Sequence, residues 1–403
     1  MKLQPKLQSR TATLPRAAAR YLSPVTARCC FALLLCVVIP RAGLAQTLTT
    51  LANFTGTNGA NPYFAPLVQG RDGNLYGTTS AGGAHRHGTV FKVTPTGTLT
   101  TLYSFCAQSR CADGSAPFAG LLLGSDGNFY GTTESGGANG EGSVFKITPR
   151  GRLTTLHSFN IQDGSNPYAA LIQATDGNFY GTTQSGGTYL LGTVFKITPH
   201  GVLTTLHSFN SADGSSPEAA LLQAADGNFY STTYNGGSAE SYGTVFKITP
   251  AGALTTLHIF DESEGKGLVA GLVGTSDGNF YGTAGQGGAN GYGTVFTITP
   301  EGALTTLHSF NATDGATPTA LVLATDGNFY GTTISGGANI DGTIFEITPQ
   351  GAFTTLHAFD GSDGADPFAG LVQAASGAFY GTTMFGGSRN YGTVFLLDVG
   401  LGP

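Results

Sequence analysis

From residue 48 almost to its C-terminus the chain repeats one segment seven times, at steps of 54, 50, 50, 51, 49 and 50 residues. An Asp-Gly-Asn element marks six copies, beginning at Asp72, Asp126, Asp176, Asp226, Asp277 and Asp326. Ser376-Gly377-Ala378 marks a degenerate seventh. Self-similarity at such a period restricts a chain to solenoids, propellers or arrays, because each unit must bury its apolar face against the next.

One unit parses into four short strands. Leu171-Ile172-Gln173-Ala174 is an apolar first strand, and Asp176-Gly177-Asn178 turns it into Phe179-Tyr180-Gly181-Thr182-Thr183. A Gly186-Gly187 loop leads to Thr193-Val194-Phe195-Lys196-Ile197-Thr198. Pro199-His200-Gly201 then turns into Leu203-Thr204-Thr205-Leu206-His207-Ser208-Phe209. These runs are β-branched and aromatic, with Gly, Pro, Asp and Asn at their ends. Four strands in some fifty residues is the size of a propeller blade. The last copy stops after Val394-Phe395-Leu396-Leu397, without a fourth strand, and the missing strand stands at the other end, as Leu48-Thr49-Thr50-Leu51-Ala52-Asn53-Phe54. The chain is therefore expected to be all-β: a seven-bladed β-propeller of four-stranded blades, the last closed by the N-terminal strand 48–54. A parallel β-helix, the alternative, needs no strand moved from tail to head and would want polar caps. The propeller parse puts the first strand innermost. The Asp-Gly-Asn and Pro-x-Gly turns fall on one face of the ring, and the Gly-Gly loops and inter-blade connections on the other.

The first 45 residues differ. They carry seven Lys or Arg, no Asp or Glu, an apolar run from Cys29 to Ile39, and small residues at Gly43 and Ala45. This reads as a secretory signal peptide, 1–45, ahead of a single propeller domain, 46–403. The run is too short for a transmembrane helix, and no later segment reads as a membrane anchor. With the leader gone, 24 acidic residues face 11 basic ones, a net charge of −13, so nucleic acid is excluded as a partner. The reading is a monomer that is secreted, periplasmic or on the cell surface. Cys106 and Cys111 are the two cysteines left, and they flank the one expanded step. An exported pair around an insertion predicts a disulfide, worth about 2 kcal/mol for so short a loop; free thiols or a metal site are the competing reading.

The pattern DGNFYGTTxxGGxxxxGTVFKITPxGxLTTLHSF, over Leu48 to about Leu397, closely resembles the GloVer tandem repeat of exported bacterial proteins. The resemblance implies a propeller-like β fold and export, and it brings no established activity. A looser similarity connects the turns and the Ile197-Thr198-Pro199 strand end to streptogramin-lyase-like propellers and to sensor propellers of hybrid regulators. The matched residues there are structural.

Residues shared by most copies are expected to serve the blade. His157, His207, His258, His308 and His357 hold one place in the outer strand and are read as packing residues rather than metal ligands. Asp113, Asp163, Asp213, Asp314 and Asp363 are read as turn formers. A weak Ca²⁺ site at Asp360–Gly364 is the alternative; otherwise no cofactor is expected. The variable loops after Gly-Gly supply the candidate ligand-binding residues: His85, His87, Glu141, Tyr189, Tyr242, Tyr292, Asp341, Arg389 and Tyr391. Binding residues sit on loops carried by a rigid scaffold, and Tyr, Asn and acids suit a glycan or a protein surface. His85-x-His87 is the sharpest metal-like pair, with no third ligand nameable. The inter-blade connections also vary, at Tyr63, Phe118, Tyr168, Glu218, Leu268, Thr319 and Phe368. Recurrent Gln69, Gln173, Gln223 and Gln373 are read as polar groups of the channel. The leading expectation is a non-catalytic binding or scaffold module for a glycan or protein. The alternatives are a lyase or hydrolase of a polysaccharide or cyclic ester, and a purely structural extracellular repeat.

Overall fold

The computed structural model describes residues 46–402 and folds them into seven four-stranded antiparallel sheets arranged as a ring. The signal-peptide reading lies on residues 1–45, outside the described residues. In the third blade the strands are Ile172–Gln173, Phe179–Thr183, Thr193–Ile197 and Leu203–Ser208, each paired with the next. The inner strand has only two ladder residues, fewer than its apolar run suggests. The second strand is buried along its whole length, which is why Phe179 and Tyr180 are apolar at both parities.

The ring closes as the repeat demands. Thr47–Asn53 pairs antiparallel with Thr393–Asp398, from Thr47 opposite Asp398 to Asn53 opposite Thr393, with a register shift between Thr50 and Ala52. It completes a sheet with Phe379–Thr383 and Val372–Gln373. A second closure lies at the inner edge, where the Ala375 N–H donates to Gln69 Oε1 at 3.1 Å. Gln173, Gln223 and Gln373 likewise accept the amides of Ser125, Thr175 and Thr325 in the preceding blade. The recurrent glutamines are thus latches between blades and not free channel groups.

Neighbouring blades meet through one aromatic pair. Tyr180 lies against Phe229 of the next blade with ring centroids 4.3 Å apart, and five further interfaces repeat the contact at 4.1–4.4 Å. At the closing seam Leu75 stands where the others have Phe, and Tyr380, Leu75 and Phe54 share one core cluster. The same tyrosine ends in a turn. Tyr180 Oη donates to Asp176 Oδ2 at 2.9 Å, where Asn178 Nδ2 and Lys196 Nζ also donate at 2.8 and 2.9 Å. Partial burial pushes the Asp176 carboxyl up, but these hydrogen bonds outweigh it and hold the group below the ordinary carboxylate range. Gly181 follows where space is tight: a Cβ there would stand 2.7 Å from the Phe195 ring, and blade four admits only the small Ser231 at this position.

Two predictions follow from this joint. Tyr180→Phe keeps the wedge and loses one hydrogen bond, costing about 1 kcal/mol, whereas Tyr180→Ala costs about 3–5 kcal/mol. Equal losses in urea denaturation would refute the wedge. Because the folded Asp176 pKa is depressed, its contribution is present above the unfolded value near 4 and is lost as pH falls through the folded one. The Asp176→Asn variant should therefore lose less stability than the parent between pH 6 and pH 2.

Candidate functional site

Compared blade against blade, the second and third strands are nearly identical. Variation gathers in the loops and in two further positions. One follows the proline of the inter-blade connection (Leu268 in blade five), and the other follows the Thr-Thr of the second strand (Thr283-Ala284 in blade five). Both positions lie on the Gly-Gly side of the ring, and residues from both come together at the axis.

The first position builds an aromatic arc. Tyr63 stacks on Phe368 at 4.6 Å and meets Phe118 edge-on at 4.9 Å, and Phe118 stacks on Tyr168 at 5.1 Å. The rings come from blades seven, one, two and three. Glu218, Val269 and Thr319 continue the circle. An open cup of about 430 Å³ lies against this arc, with Gln184, Tyr234, Gln286 and Ile334 on its wall. It shares Phe64, Tyr168, Glu218, Val269 and Phe368 with a narrower axial cavity of about 110 Å³, which reaches Ala170, Ala220 and Gly370 just before the inner strands. A hollow that joins an apolar, aromatic floor to a few fixed polar groups is a usual form of a ligand site.

Glu218 is the polar centre of the cup. Gln184 Nε2 donates to its Oε1 at 2.7 Å. Burial raises its carboxyl above the ordinary value, and the Gln184 hydrogen bond only partly offsets this. Tyr168 is pushed up to about 12, first by burial and then by the charges of Glu134 and Glu218. Tyr63 is raised by burial and by Glu218. Glu134 belongs to the second variable position, and its Oε1 accepts from Asn166 Nδ2 at 3.2 Å. Among the described residues, none lining the cup or the axial cavity is Lys, Arg or His.

The cup revises one assignment. Leu268 is fully buried and stands where other blades carry the proline: its Cδ1 faces Gly243 as Pro217 Cδ faces Gly192. Val269, one residue on, is the residue that lines the cup. The second variable position went unnoticed in the sequence, although Ser80, Glu134, Gln184, Tyr234, Gly285, Ile334 and Met384 differ inside an otherwise uniform stretch.

The loop residues named from sequence lie on the same side of the ring but do not line the cup. His85, Tyr189, Tyr292, Arg389 and Tyr391 are exposed, while Glu141, Tyr242 and Asp341 are half-buried. The backbone of this row is structural: the carbonyls of His87, Glu141, Tyr292, Asp341 and Tyr391 accept amides from the next connection. Tyr391 and Arg86 flank a separate hollow of about 540 Å³ at the closing seam. The Lys266 ammonium lies 5.5 Å from the Tyr242 ring centroid.

The histidine row is paired within each blade. His157, His207, His308 and His357 place Nε2 2.7–3.2 Å from Asp163, Asp213, Asp314 and Asp363, and His258 meets Glu264 at 2.8 Å. Tyr103 donates to Asp113 instead. Asp360 and Asp363 spend oxygens on the amides of their own turn. Cys106 and Cys111 are joined as a disulfide. The exposed His87 joins them, with all three ligand atoms within 4.8 Å of one another. While the disulfide stands, neither sulfur is the thiolate that binds a metal.

Blade one departs from the repeat at the axis. Its connection reads Pro62-Tyr63-Phe64-Ala65-Pro66-Leu67, one residue longer than Pro117-Phe118-Ala119-Gly120-Leu121. The extra ring, Phe64, meets Tyr63 and Phe368 edge-on at 4.5 and 5.7 Å. In six blades a buried threonine at the end of the second strand donates to a carbonyl of the next connection, as Thr182 does to Ala219 at 3.2 Å. The seventh is Thr382, which faces the lengthened connection. Its Oγ1 is the one buried side-chain polar atom without a partner among the described residues.

A family model described as the Gloeobacter/Verrucomicrobia repeat matches residues 40–240 and 218–401. Comparison with curated proteins returned no match. Among solved structures, the extracellular domain of the hybrid two-component system BT3049 of B. thetaiotaomicron is similar at 15% identity and a TM-score of 0.57. The alignment covers 87% of this chain and 41% of that one. The corresponding domain of BT4673 is similar at 9% identity and 0.56, covering 87% and 39%. The chain thus spans about two fifths of those ectodomains. A 6-phosphogluconolactonase-like protein of Bacteroides uniformis is similar at 17% and 0.50, covering 73% and 84%. At these identities the likeness shows the fold. No helix among the described residues is long and apolar enough to cross a membrane.

The orphaned hydroxyl gives a matched pair of variants. Thr78→Val should cost about 1–3 kcal/mol, because it strips the Ala119 carbonyl of its hydroxyl donor. Thr382→Val should be neutral or stabilising. Similar losses in urea denaturation would show that Thr382 has a partner in solution.

Proposed function

The chain belongs to the Gloeobacter/Verrucomicrobia repeat family, and from that membership and the axial cup we propose that it is an exported, non-catalytic binding module that seats a glycan in the mouth of the ring. The observation that carries this is the convergence of the two variable positions on one hollow, in a chain whose other strand positions repeat almost unchanged. Rings at Tyr63, Tyr168 and Phe368 offer apolar surface for the carbon face of a sugar, and Glu218 and Gln184 offer hydrogen bonds to its hydroxyls. The exposed Tyr292 and Tyr391 stand on the same side and would meet the flanking parts of a longer chain.

Binding is favoured over catalysis by what lines the cup. Acid–base chemistry wants two titratable groups in different protonation states near one reacting atom. Glu218 is the only carboxylate among the lining residues, and its nearest polar partner is an amide. Export is supported by the basic, apolar leader in the sequence and by likeness to ectodomains of bacterial sensors.

A glycan array probed with the chain from residue 46, with and without Ca²⁺, tests the reading. A hit should weaken at least tenfold in Tyr168→Ala and by less in Tyr292→Ala. Loss confined to Tyr292→Ala or Tyr391→Ala would move the site to the peripheral loops. A blank on every glycan would favour a protein ligand or a structural role.

A further inference from the structure

We propose that the glycan seated in the axial cup carries free amino groups, so that the cup selects a protonated amino sugar over its neutral counterpart. This rests on the axial-cup reading above and adds the sign of the ligand's charge.

The argument is one of complementarity. Glu218 stands inside the cup, and Glu134 is close enough for its charge to act on Tyr168. Asp366 holds in blade seven the place that Gly267 and Thr317, both on the cup wall, hold in blades five and six. No Lys, Arg or His lines the cup to balance them. Tyr63, Phe64, Tyr168, Tyr234 and Phe368 also line the cup, and a ring face attracts an ammonium more strongly as the site is desolvated. The arrangement therefore repels an anionic sugar and rewards a cationic one. A neutral sugar offers Glu218 hydroxyl donors but no opposite charge, and the other side-chain contact of that carboxylate is the neutral Gln184 amide. An ammonium supplies the missing opposite charge, and Glu218 Oε2, to which no side chain among the described residues donates, can accept it. The negative charge of the whole chain steers in the same direction.

Calorimetry on the purified chain with three β-1,4-linked tetramers tests this: glucosamine, N-acetylglucosamine and glucose. The glucosamine tetramer should bind at least tenfold tighter than the other two, with an advantage that shrinks as salt rises. Glu218→Gln, which is isosteric, should erase the advantage by weakening the glucosamine tetramer at least tenfold more than the glucose tetramer. Tyr168→Ala should weaken all three. An unchanged urea midpoint would show that Glu218→Gln is folded. Equal or tighter binding of the acetylated or glucose tetramer would overturn the inference and leave the axial-cup reading standing. A preference for glucosamine that survives Glu218→Gln would also overturn it, because diffuse surface charge would then be the cause. Tetralysine binding as tightly, with the same loss in Glu218→Gln, would replace the sugar by a basic peptide. Failure of all three tetramers to bind would sink both the inference and the axial-cup reading.

Discussion

The tyrosine after each Asp-Gly-Asn turn joins the blade to the ring. Its ring lies against the phenylalanine of the next blade, and in five blades its hydroxyl reaches back to cap its own turn, as with Tyr180, Phe229 and Asp176. Local and long-range structure therefore depend on the same side chain. A blade with a disordered turn would misplace the wedge, and a blade without the wedge would leave its second strand half exposed. Such agreement between local and global preferences is what lets a repeat of nearly identical units close into one structure. The seam that breaks the pattern, with Leu75 and Tyr380, is also the seam that receives the N-terminal strand and the Gln69 latch.

A ring of near-identical blades would have a near-symmetric mouth, and a symmetric mouth discriminates little. The asymmetry here comes from few residues. Four aromatic side chains fall on consecutive blades, one carboxylate follows, and one inserted phenylalanine fills part of the axis. The insertion has a local cost. Thr382 loses the acceptor that its six equivalents keep, and an unpaired buried hydroxyl is worth about 1–3 kcal/mol against the fold. A rule kept in six blades and broken beside the candidate site fits the general pattern in which local rules yield where function intervenes.

Much of this was legible in the residues. The blade count, the strand order, the Thr47–Asn53 closure and the Cys106–Cys111 bond all follow from spacing and from a strand missing at one end and present at the other. The structural character of the histidine row was legible too, because a group present in five blades serves the blade. The cup was half legible. Tyr63, Phe118, Tyr168, Glu218 and Phe368 stood out as variable, yet binding residues were sought on the longer loops, where variation is greater. Gln184 and Tyr234 were missed because one variable residue inside a conserved-looking strand carries little weight alone. Leu268 was misplaced by one residue because a chain without the marker proline offers no local sign of register. The recurrent glutamines were read as channel groups because their acceptors and donors lie some fifty residues away.

Sequence by itself determined the repeat, its four strands, the turns that separate them and the need for closure, since all of these rest on short-range chemistry repeated at a fixed period. Only the tertiary structure decided which side chains meet at the axis. That meeting depends on the curvature of the ring and on the exact length of each connection. One inserted residue before Leu67 and one leucine in place of a proline change what reaches the cup, while leaving the periodic pattern along the chain almost untouched.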